Sequence, residues 1–378
     1  MDLPFLMLVL LLTGIGVIMV FSASYATAYL QEDKSPTFYF FRQALFAAAG
    51  LTVMYITSKI NYQTFRWLSV FALGLAVAVL IPGIHTSRSD GVKRWIAVPG
   101  IGTFQPSEIA KVAVIMYFSA RLSKRNTEKP RRLSPRSPLS GVVGFLDRIG
   151  FLELVPYGLI LLLIVGLMML EPHMSGTILI LAGAAAVLFA AGIKLYWFAG
   201  GGAALMGLVV LMMSGYQSTR ILVWQDPWAY PRDGGYQIIQ SLYAIGSGGL
   251  LGLGLGKSRQ KFLYLPEPEN DFIFAIVCEE LGLIGAGIVL ILFALLVMRG
   301  YWIAIHARDR FGALLVVGIT TLTAVQVFLN ISVVTNLIPT TGISLPFFSY
   351  GGTALMIQLA EMGIILSVSR QIPAPRQE

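Results

Sequence analysis

Long apolar runs alternate with short polar segments along almost the whole chain, and the runs have the length of membrane-spanning helices. Such a helix needs about 20 mostly apolar residues. Ten runs come close to this length, and they cover residues 3–23, 38–57, 66–82, 105–122, 154–170, 174–193, 195–213, 271–298, 311–336 and 350–369. The pattern predicts an all-α polytopic membrane protein with about ten transmembrane helices, built as one membrane domain over residues 1–378.

The composition points to the same class, because 56% of the residues are hydrophobic and only 12% are charged. An ordinary soluble domain has about twice that share of charged residues. The first run, Leu3 to Ala23, is too long for the core of a signal peptide, and acidic Asp2 precedes it, so we expect it to remain as a helix. The single cysteine, Cys278, excludes an intramolecular disulfide.

Positive charge predicts the orientation in the membrane. Cytoplasmic loops carry an excess of lysine and arginine, and most of the 27 such residues fall on one side if both termini are cytoplasmic. This favours an N-in, C-in arrangement. The basic, Pro- and Ser-rich linker at about 123–150 is then cytoplasmic, either as a topology signal resting on anionic headgroups or as a docking segment for a partner.

Two loops predicted on the outer face, 83–104 and about 214–270, are also basic, which suggests an anionic ligand there. The second loop joins predicted helices 7 and 8, and its Trp and Tyr side chains suit either the membrane interface or sugar faces. Its GLGLGKS run (252–258) is similar to a phosphate-binding loop, but Leu251 stands where that motif requires glycine. We instead expect the glycines between 246 and 256 to let the backbone pack closely.

Charged residues within the predicted spans are candidates for function, because they are costly in hydrocarbon. Glu108 and Lys111 stand at i and i+3 on the fourth helix, either as a structural ion pair or as the charged wall of a water-filled cavity. Four other residues could serve a helix contact or a ligand, namely Arg42, Glu279, Glu280 and Glu361. The roles of Glu171 and His173 are open, and we expect them to lie in a short outer turn between two predicted spans.

Asp271 stands at the mouth of the eighth predicted helix. Pro266 and Pro268 keep the preceding chain extended, and a long apolar run follows. A carboxylate or amide at this point, from Asn270 or Asp271, can cap the helix and is favoured by the helix dipole. Capping and catalysis are both consistent with the position of Asp271.

Three separated motifs resemble the SEDS family (shape, elongation, division and sporulation). They are RWIAVPGIGTFQPSEIAK at 94–111, the run from GYQIIQ to LGLIG at 235–285, and NISVVTNLIPTTGISLPFFSYGG at 330–352. Their order on a ten-span frame resembles the family, and the YLPEP and LIPTTGISLPFFSYGG wording resembles the FtsW- and SpoVE-like branch more than the RodA-like branch. Three places depart from the family pattern: Asn270 replaces a threonine, Asn336 replaces a glycine, and EPHMSG at 171–176 varies a segment that often reads QPDLG.

The resemblance implies a peptidoglycan glycosyltransferase of the bacterial cytoplasmic membrane. It would polymerise lipid II at the outer face with inversion at the anomeric carbon, work with a class B penicillin-binding protein, and serve division or sporulation. The family's motifs place its functional residues on Asp271, Trp95, Glu108 and Lys111. No nucleic acid partner is implied.

The implied chemistry assigns roles to residue types. Asp271 is the expected base for the acceptor hydroxyl, and Trp95 could stack on a sugar. Four cations are candidates for the diphosphate or the glycan, or for lipid headgroups, namely Arg94, Lys257, Arg259 and Lys261. Oxygen ligands, among them Asp271 and Glu108, favour Mg²⁺ or Mn²⁺ as a divalent cation.

Two other function classes remain open from the sequence. A lipid II flippase would also have many spans with polar residues in them, although the chain shows no evident inverted repeat. A scaffold without catalysis could recruit a penicillin-binding protein. Both should tolerate loss of the Asp271 carboxylate better than a polymerase.

Overall fold

The computed structural model describes residues 1–31, 35–81, 86–87, 93–98, 102–125, 150–170, 174–202, 216–232 and 234–372. Its helices are α1 (Leu3–Ala26), α2 (Phe38–Lys59), α3 (Gln63–Val79), α4 (Pro106–Leu122), α5 (Phe151–Leu170), α6 (Met174–Ala190), α7 (195–202), α8 (Tyr216–Gln225), α9 (Gly235–Gly248), α10 (Ile273–Ile305), α11 (Arg310–Val334) and α12 (Gly352–Ser369). A π-helical turn, Thr27–Gln31, extends α1.

Helices lie where the apolar runs predict them. Six helices in the described part of the chain are long and apolar enough to cross a membrane, and two shorter apolar ones cover Gln63–Val79 and Ser175–Ala190. The seventh predicted span, 195–213, is described only over 195–202, and most of the linker at 123–150 also lies outside the described residues. The protein is a multi-pass membrane protein.

A small antiparallel sheet corrects the all-α prediction. It contains β1 (Thr86–Ser87), β2 (Lys93–Val98) and β3 (Gly102–Phe104), with β2 in the middle. Ile96 pairs with Phe104 across β2 and β3. The β-branched and aromatic residues of β2, followed by Pro and Gly, are a hairpin signal that the search for apolar spans overlooks.

The bundle has two distinct ends. At one end α1 finishes and α2, α4, α10 and α12 begin, and we call this the site end. At the opposite end Asp2 forms an ion pair with Arg299 at 2.8 Å, and Tyr62 Oη donates to the Asp309 carboxylate at 2.6 Å. Burial raises the pKa of Asp309, but hydrogen bonds from Tyr62, Gln63 and a backbone N–H outweigh burial and hold it below its usual value.

Glycines allow α2 and α12 to pack closely. A Cβ atom on Gly50 of α2 would meet the Leu359 side chain at 2.6 Å, and one on Gly363 of α12 would meet the Met54 carbonyl at 2.6 Å. Small residues commonly have this function at helix contacts in membranes, where lipid competes with weak apolar attraction. The packing of α2 against α12 holds the loop before α12 at the site end.

Helix α10 is broken at Gly282, where φ is 68° and ψ is −173°. The chain after α9 repairs the break, because its backbone replaces the hydrogen bonds that the helix loses. We call residues 249–254 the repair segment. Four backbone bonds join it to α10: Leu253 N donates to Glu279 O at 2.9 Å, Gly254 N to Glu280 O at 3.0 Å, Leu283 N to Gly249 O at 2.9 Å, and Ile284 N to Leu250 O at 3.2 Å.

The prediction that the glycines pack closely is confirmed at two positions. A Cβ atom on Gly248 would overlap the Cys278 carbonyl oxygen, and one on Gly252 would overlap the Glu280 carbonyl oxygen. Gly252 also has a φ of 78°, a conformation that a side chain disfavours. The GLGLGKS run therefore belongs to a backbone contact within the protein.

The first prediction compares two glycines of α9. We expect Gly248→Ala to destabilise the protein by about 2 kcal/mol or more, since its Cβ atom meets backbone. Gly246→Ala is the control, because a Cβ there meets nothing within 4 Å, and it should be neutral or stabilising by up to about 1 kcal/mol. Thermal unfolding in detergent measures both, and equal melting temperatures would contradict the contact.

Candidate functional site

Asp271 lies half-buried at the site end, directly before α10. Its Oδ2 atom faces Gly342, where a Cβ atom would come within 3.3 Å. The N-cap position is occupied by Phe272, whose side chain makes no cap bond, so neither Asn270 nor Asp271 stands at the N-cap itself. Asn270 instead donates from Nδ2 to Glu267 Oε2 at 2.9 Å. The Asp271 carboxylate thus faces the loop between α11 and α12.

That loop forms the wall beside Asp271. Gly342 has a φ of 70°, so a side chain there would meet both backbone strain and the carboxylate. Arg220 of α8 donates from Nη1 to Thr340 O at 3.0 Å. Sequence reasoning did not select Arg220 as a site residue, because only the fold brings α8 against residues 339–342.

Glu108 and Lys111 form the predicted ion pair, with Nζ and Oε2 separated by 2.8 Å. The Lys111 side chain is 3% exposed and that of Glu108 is 15% exposed, so the acid is the member closer to solvent. Glu361 of α12 is buried and lies within electrostatic range of both. The pair is therefore part of a buried charge cluster between α4 and α12.

Trp95 is half-buried on β2, in register with Thr86 of β1. The sheet reaches the site end through β3, because Thr353 Oγ1 of α12 donates to Thr103 O at 3.1 Å. Helix α4, with Glu108, begins just after β3. The side chain of Arg94, also on β2, lies outside the described residues.

Lys261 requires a correction. Lys257 and Arg259 are exposed, but Lys261 is 2% exposed. Its Nζ atom forms an ion pair with Glu280 Oε1 at 3.0 Å and donates to Gly256 O at 2.7 Å. A cation neutralised inside the protein is poorly suited to bind a diphosphate, so Lys261 is a poorer candidate for ligand binding than exposed Lys257 and Arg259.

Glu279 and Glu280 hold the chain that follows the repair segment onto α10. Glu279 accepts from Ser258 Oγ at 2.5 Å and from Arg259 N at 3.0 Å, and Glu280 accepts from Ser22 Oγ at 2.6 Å. Both carboxyl groups are buried. They serve structural contacts, and the sequence signal is two acids just before a glycine inside an apolar helix.

Trp224 and Asn336 join α8 to the residues that follow α11. Trp224 Nε1 of α8 donates to Asn336 O at 3.1 Å, and Asn336 Nδ2 donates to Trp224 O at 3.3 Å. Asn336 has a φ of 57°, which explains why glycine suits this position and why asparagine can replace it. This departure from the family pattern preserves the backbone and adds a contact.

Other candidates are placed as follows. Arg42 is half-buried on α2, while Glu171 and His173 lie outside the described residues. Within the described part of the chain, no three His, Cys, Asp or Glu side chains form a cluster suited to a metal ion. Asp271 and Glu108 could at most supply part of a coordination shell, which is the usual arrangement for Mg²⁺ bound together with phosphates.

The site can therefore provide a carboxylate beside Gly342, an ion pair in a buried cluster, and an aromatic side chain on a small sheet. These parts share one end of the bundle. A carboxylate can accept a proton, and neighbouring cations and oxygen ligands can stabilise a phosphorylated leaving group.

Comparison with known proteins covers the whole chain. Residues 2–373 match the model of the FtsW, RodA and SpoVE family, described as cell cycle protein. Stage V sporulation protein E of Bacillus subtilis (strain 168) is 43% identical, over 98% of this chain and 97% of that protein. The probable peptidoglycan glycosyltransferase FtsW of Geobacter sp. (strain M18) is 40% identical over the same shares.

Solved structures share the fold. One describes structural coordination of polymerization and crosslinking by a peptidoglycan synthase complex, and its matching chain has 25% identity and a TM-score of 0.76, covering 100% of this chain and 99% of that one. The crystal structure of the rod shape determining protein RodA of Thermus thermophilus has 24% identity and a TM-score of 0.68, covering 99% and 98%.

The second prediction tests the correction at Lys261. We expect Lys261→Met to destabilise the protein by about 3 to 5 kcal/mol, because it leaves the Glu280 carboxylate buried without its cation. Adding Glu280→Gln should restore much of that stability. Lys257→Met, at an exposed lysine in the same segment, is the matched control and should leave the melting temperature unchanged. A stable but inactive Lys261→Met would instead support a role in ligand binding.

Proposed function

The chain belongs to the FtsW, RodA and SpoVE family of cell cycle proteins, and from this membership we infer that it is a peptidoglycan glycosyltransferase. The observation that carries this conclusion is the match over 98% of the chain to relatives about 40% identical, one of them named as this enzyme. The relatives at this identity bear the SpoVE and FtsW names, which favours a role in sporulation or division.

The proposed topology has ten spans with both termini in the cytoplasm. The positions of the described helices support it, and so does the excess of lysine and arginine in the segments assigned to that side. The site end then lies at the outer face of the bacterial cytoplasmic membrane. A lipid-linked sugar could reach Asp271 there with its sugar outside and its chain in the bilayer.

The proposed substrate is lipid II, the disaccharide peptide linked to undecaprenyl diphosphate. Asp271 takes the proton of the acceptor sugar hydroxyl while the hydroxyl oxygen forms a bond to the anomeric carbon of the donor. The bond from that carbon to the diphosphate oxygen breaks, and the lipid diphosphate leaves with the electron pair. Attack opposite the leaving group inverts the anomeric centre and yields the β-linked glycan.

The surroundings of Asp271 suit this role. The carboxylate is half-buried and faces the backbone at Gly342, so it is shielded on one side. Glycine at 342 places no side chain against the carboxylate, whereas a Cβ atom there would lie 3.3 Å from Asp271 Oδ2. Trp95, on the sheet that docks onto α12 at the same end, is the proposed stacking surface for a sugar ring.

Positive charge for the diphosphate comes from several sources in this proposal. Lys111 is neutralised by Glu108 inside the protein and is proposed only to shape the local field, while Arg220 stands beside the loop that faces Asp271. Exposed Lys257 and Arg259, together with Arg94, are proposed as outer contacts for the diphosphate or the glycan. Charge of this kind stabilises a leaving group as it develops.

We also propose a divalent cation, Mg²⁺ or Mn²⁺. The described residues offer Asp271 and Glu108 as carboxylate ligands, and diphosphate oxygens and water would complete the shell. When bound, such an ion would offset the negative charge of the departing diphosphate.

The proposed partner is a class B penicillin-binding protein, which would cross-link the glycan. The likeness to a chain from a peptidoglycan synthase complex that coordinates polymerization and crosslinking supports a partnered enzyme. A flippase or a recruiting scaffold is the alternative, and the response to loss of the Asp271 carboxylate separates these functions.

The third prediction concerns the base. We expect Asp271→Asn to abolish glycan formation from lipid II, because the amide cannot take the acceptor proton, while the protein remains folded. The assay uses purified protein with and without a class B penicillin-binding protein and follows glycan length on gels. Glu267→Gln is the matched control, since it neutralises an exposed acid in the same segment and should retain activity.

Two results would contradict this proposal in different ways. Normal polymerisation by Asp271→Asn would remove Asp271 from the role of base. No glycan from the wild type, even with its partner, would count against the polymerase and leave flipping of a fluorescent lipid II analogue as the next assay.

The fourth prediction concerns the cation. We expect EDTA to lower the polymerisation rate at least about tenfold, since charge stabilisation worth about 1.4 kcal/mol corresponds to that factor. Added Mg²⁺ or Mn²⁺ should restore the rate, whereas Ca²⁺ tests the preference for a smaller ion. An EDTA-treated enzyme with an unchanged rate would exclude this requirement.

A further inference from the structure

Three consecutive backbone carbonyls lead up to the Asp271 side chain, and each accepts a hydrogen bond from the far end of the chain. Glu269 O accepts from Tyr350 N at 2.8 Å. Asn270 O accepts from Ser349 Oγ at 2.7 Å. Asp271 O accepts from Asn330 Nδ2 at 2.8 Å. Together these bonds fix the path of the backbone that carries the carboxylate.

Asn330 is the central member of this arrangement. It is fully buried on α11, with 0% exposure, and its Nδ2 atom also donates to Ile343 O at 2.7 Å. One amide group therefore ties the backbone of Asp271 to the residue that follows Gly342. Because both amide protons meet carbonyl oxygens, the orientation of the side chain is determined by its contacts.

Ser349 makes the second side-chain connection. Its hydroxyl donates to Asn270 O and accepts from Leu345 N at 2.7 Å, so both its functions are used. Gln43 of α2 donates to Ser349 O at 3.3 Å, so this helix also supports the loop. The loop that faces Asp271 is thus bound to the segment that presents it.

We propose that Asn330 and Ser349 are positioning residues for Asp271, holding its carboxylate at a fixed place relative to Gly342 and the acceptor hydroxyl. The inference rests on the proposed function, in which Asp271 is the base. Neither residue need touch the substrate. The effect arises because each of these two side chains bonds both to the segment that carries Asp271 and to the loop that contains Gly342.

The sensitivity of catalysis to geometry gives the expected size of the effect. A displacement of about 1 Å in a reacting group can cost about 100-fold in rate. Loss of one of three parallel hydrogen bonds should displace the carboxylate less than complete release of the segment. We therefore expect kcat to fall about 10- to 100-fold while KM changes less than about threefold.

The test uses variants that remove donors with little change in size. Asn330→Asp replaces the amide by a group that, when ionised, cannot donate to the Asp271 and Ile343 carbonyls. Ser349→Ala removes the hydroxyl, and Ser349→Thr retains one as the conservative variant. The full-length protein with its partner is assayed for kcat, KM and the pH dependence of kcat, using lipid II.

A control at the opposite end of the bundle separates positioning from general stability. Ser367 is also buried and its hydroxyl donates to the Ile60 carbonyl of another segment. Ser367→Ala removes a similar contact far from Asp271 and should leave kcat unchanged. We expect Asn330→Asp and Ser349→Ala to lower kcat and to shift the acidic limb of the pH profile of kcat. Ser349→Thr should recover activity.

The outcomes distinguish this inference from the assignment of the base. If Asp271→Asn is inactive while Asn330→Asp and Ser349→Ala keep kcat within about twofold of the wild type, the base stands and the positioning role is wrong. Asn330→Asp and Ser349→Ala could instead lose activity only in proportion to the folded protein that they lose. If an equally unstable Ser367→Ala lost the same share of activity, the positioning role would also be wrong. An active Asp271→Asn would instead overturn the proposed base itself.

Discussion

The fold depends on completing the backbone hydrogen bonds of a broken helix. A polar backbone group without a partner is costly in hydrocarbon, so an irregular segment at membrane depth must be satisfied by other protein groups. At Gly282 the repair segment supplies both the N–H and the carbonyl groups that α10 lacks. This fixes the chain after α9 and brings the proline-rich approach to Asp271 against the bundle.

Buried charge reinforces the same attachment. Glu279 and Glu280 accept hydrogen bonds from the chain that follows the repair segment, and Lys261 compensates one of them. Removing one member of such a group is costly, because the other charge remains buried. These residues illustrate why a charged side chain in a predicted span can be essential without any contact to a ligand.

The sequence predicts most reliably the features that depend on residues close to one another along the chain. Helix length and apolar content predict the spans, and the i and i+3 spacing predicts the pair of Glu108 and Lys111. The burial of Lys261 could not be predicted from the sequence. Its cationic neighbours along the chain are exposed, and only the fold shows its ion pair with Glu280. Asn330 was likewise visible only as part of a motif, since its two carbonyl partners lie in different segments.

The two hydrogen bonds between Trp224 and Asn336 differ in whether they need the Asn336 side chain. The indole donates to a backbone carbonyl, which every amino acid possesses, whereas the return bond uses the asparagine amide. Glycine at 336 would keep the first bond and lose the second, and its backbone would still accept the positive φ. The choice between glycine and asparagine at position 336 therefore changes the number of hydrogen bonds that attach α8 to the bundle, while the path of the chain stays the same.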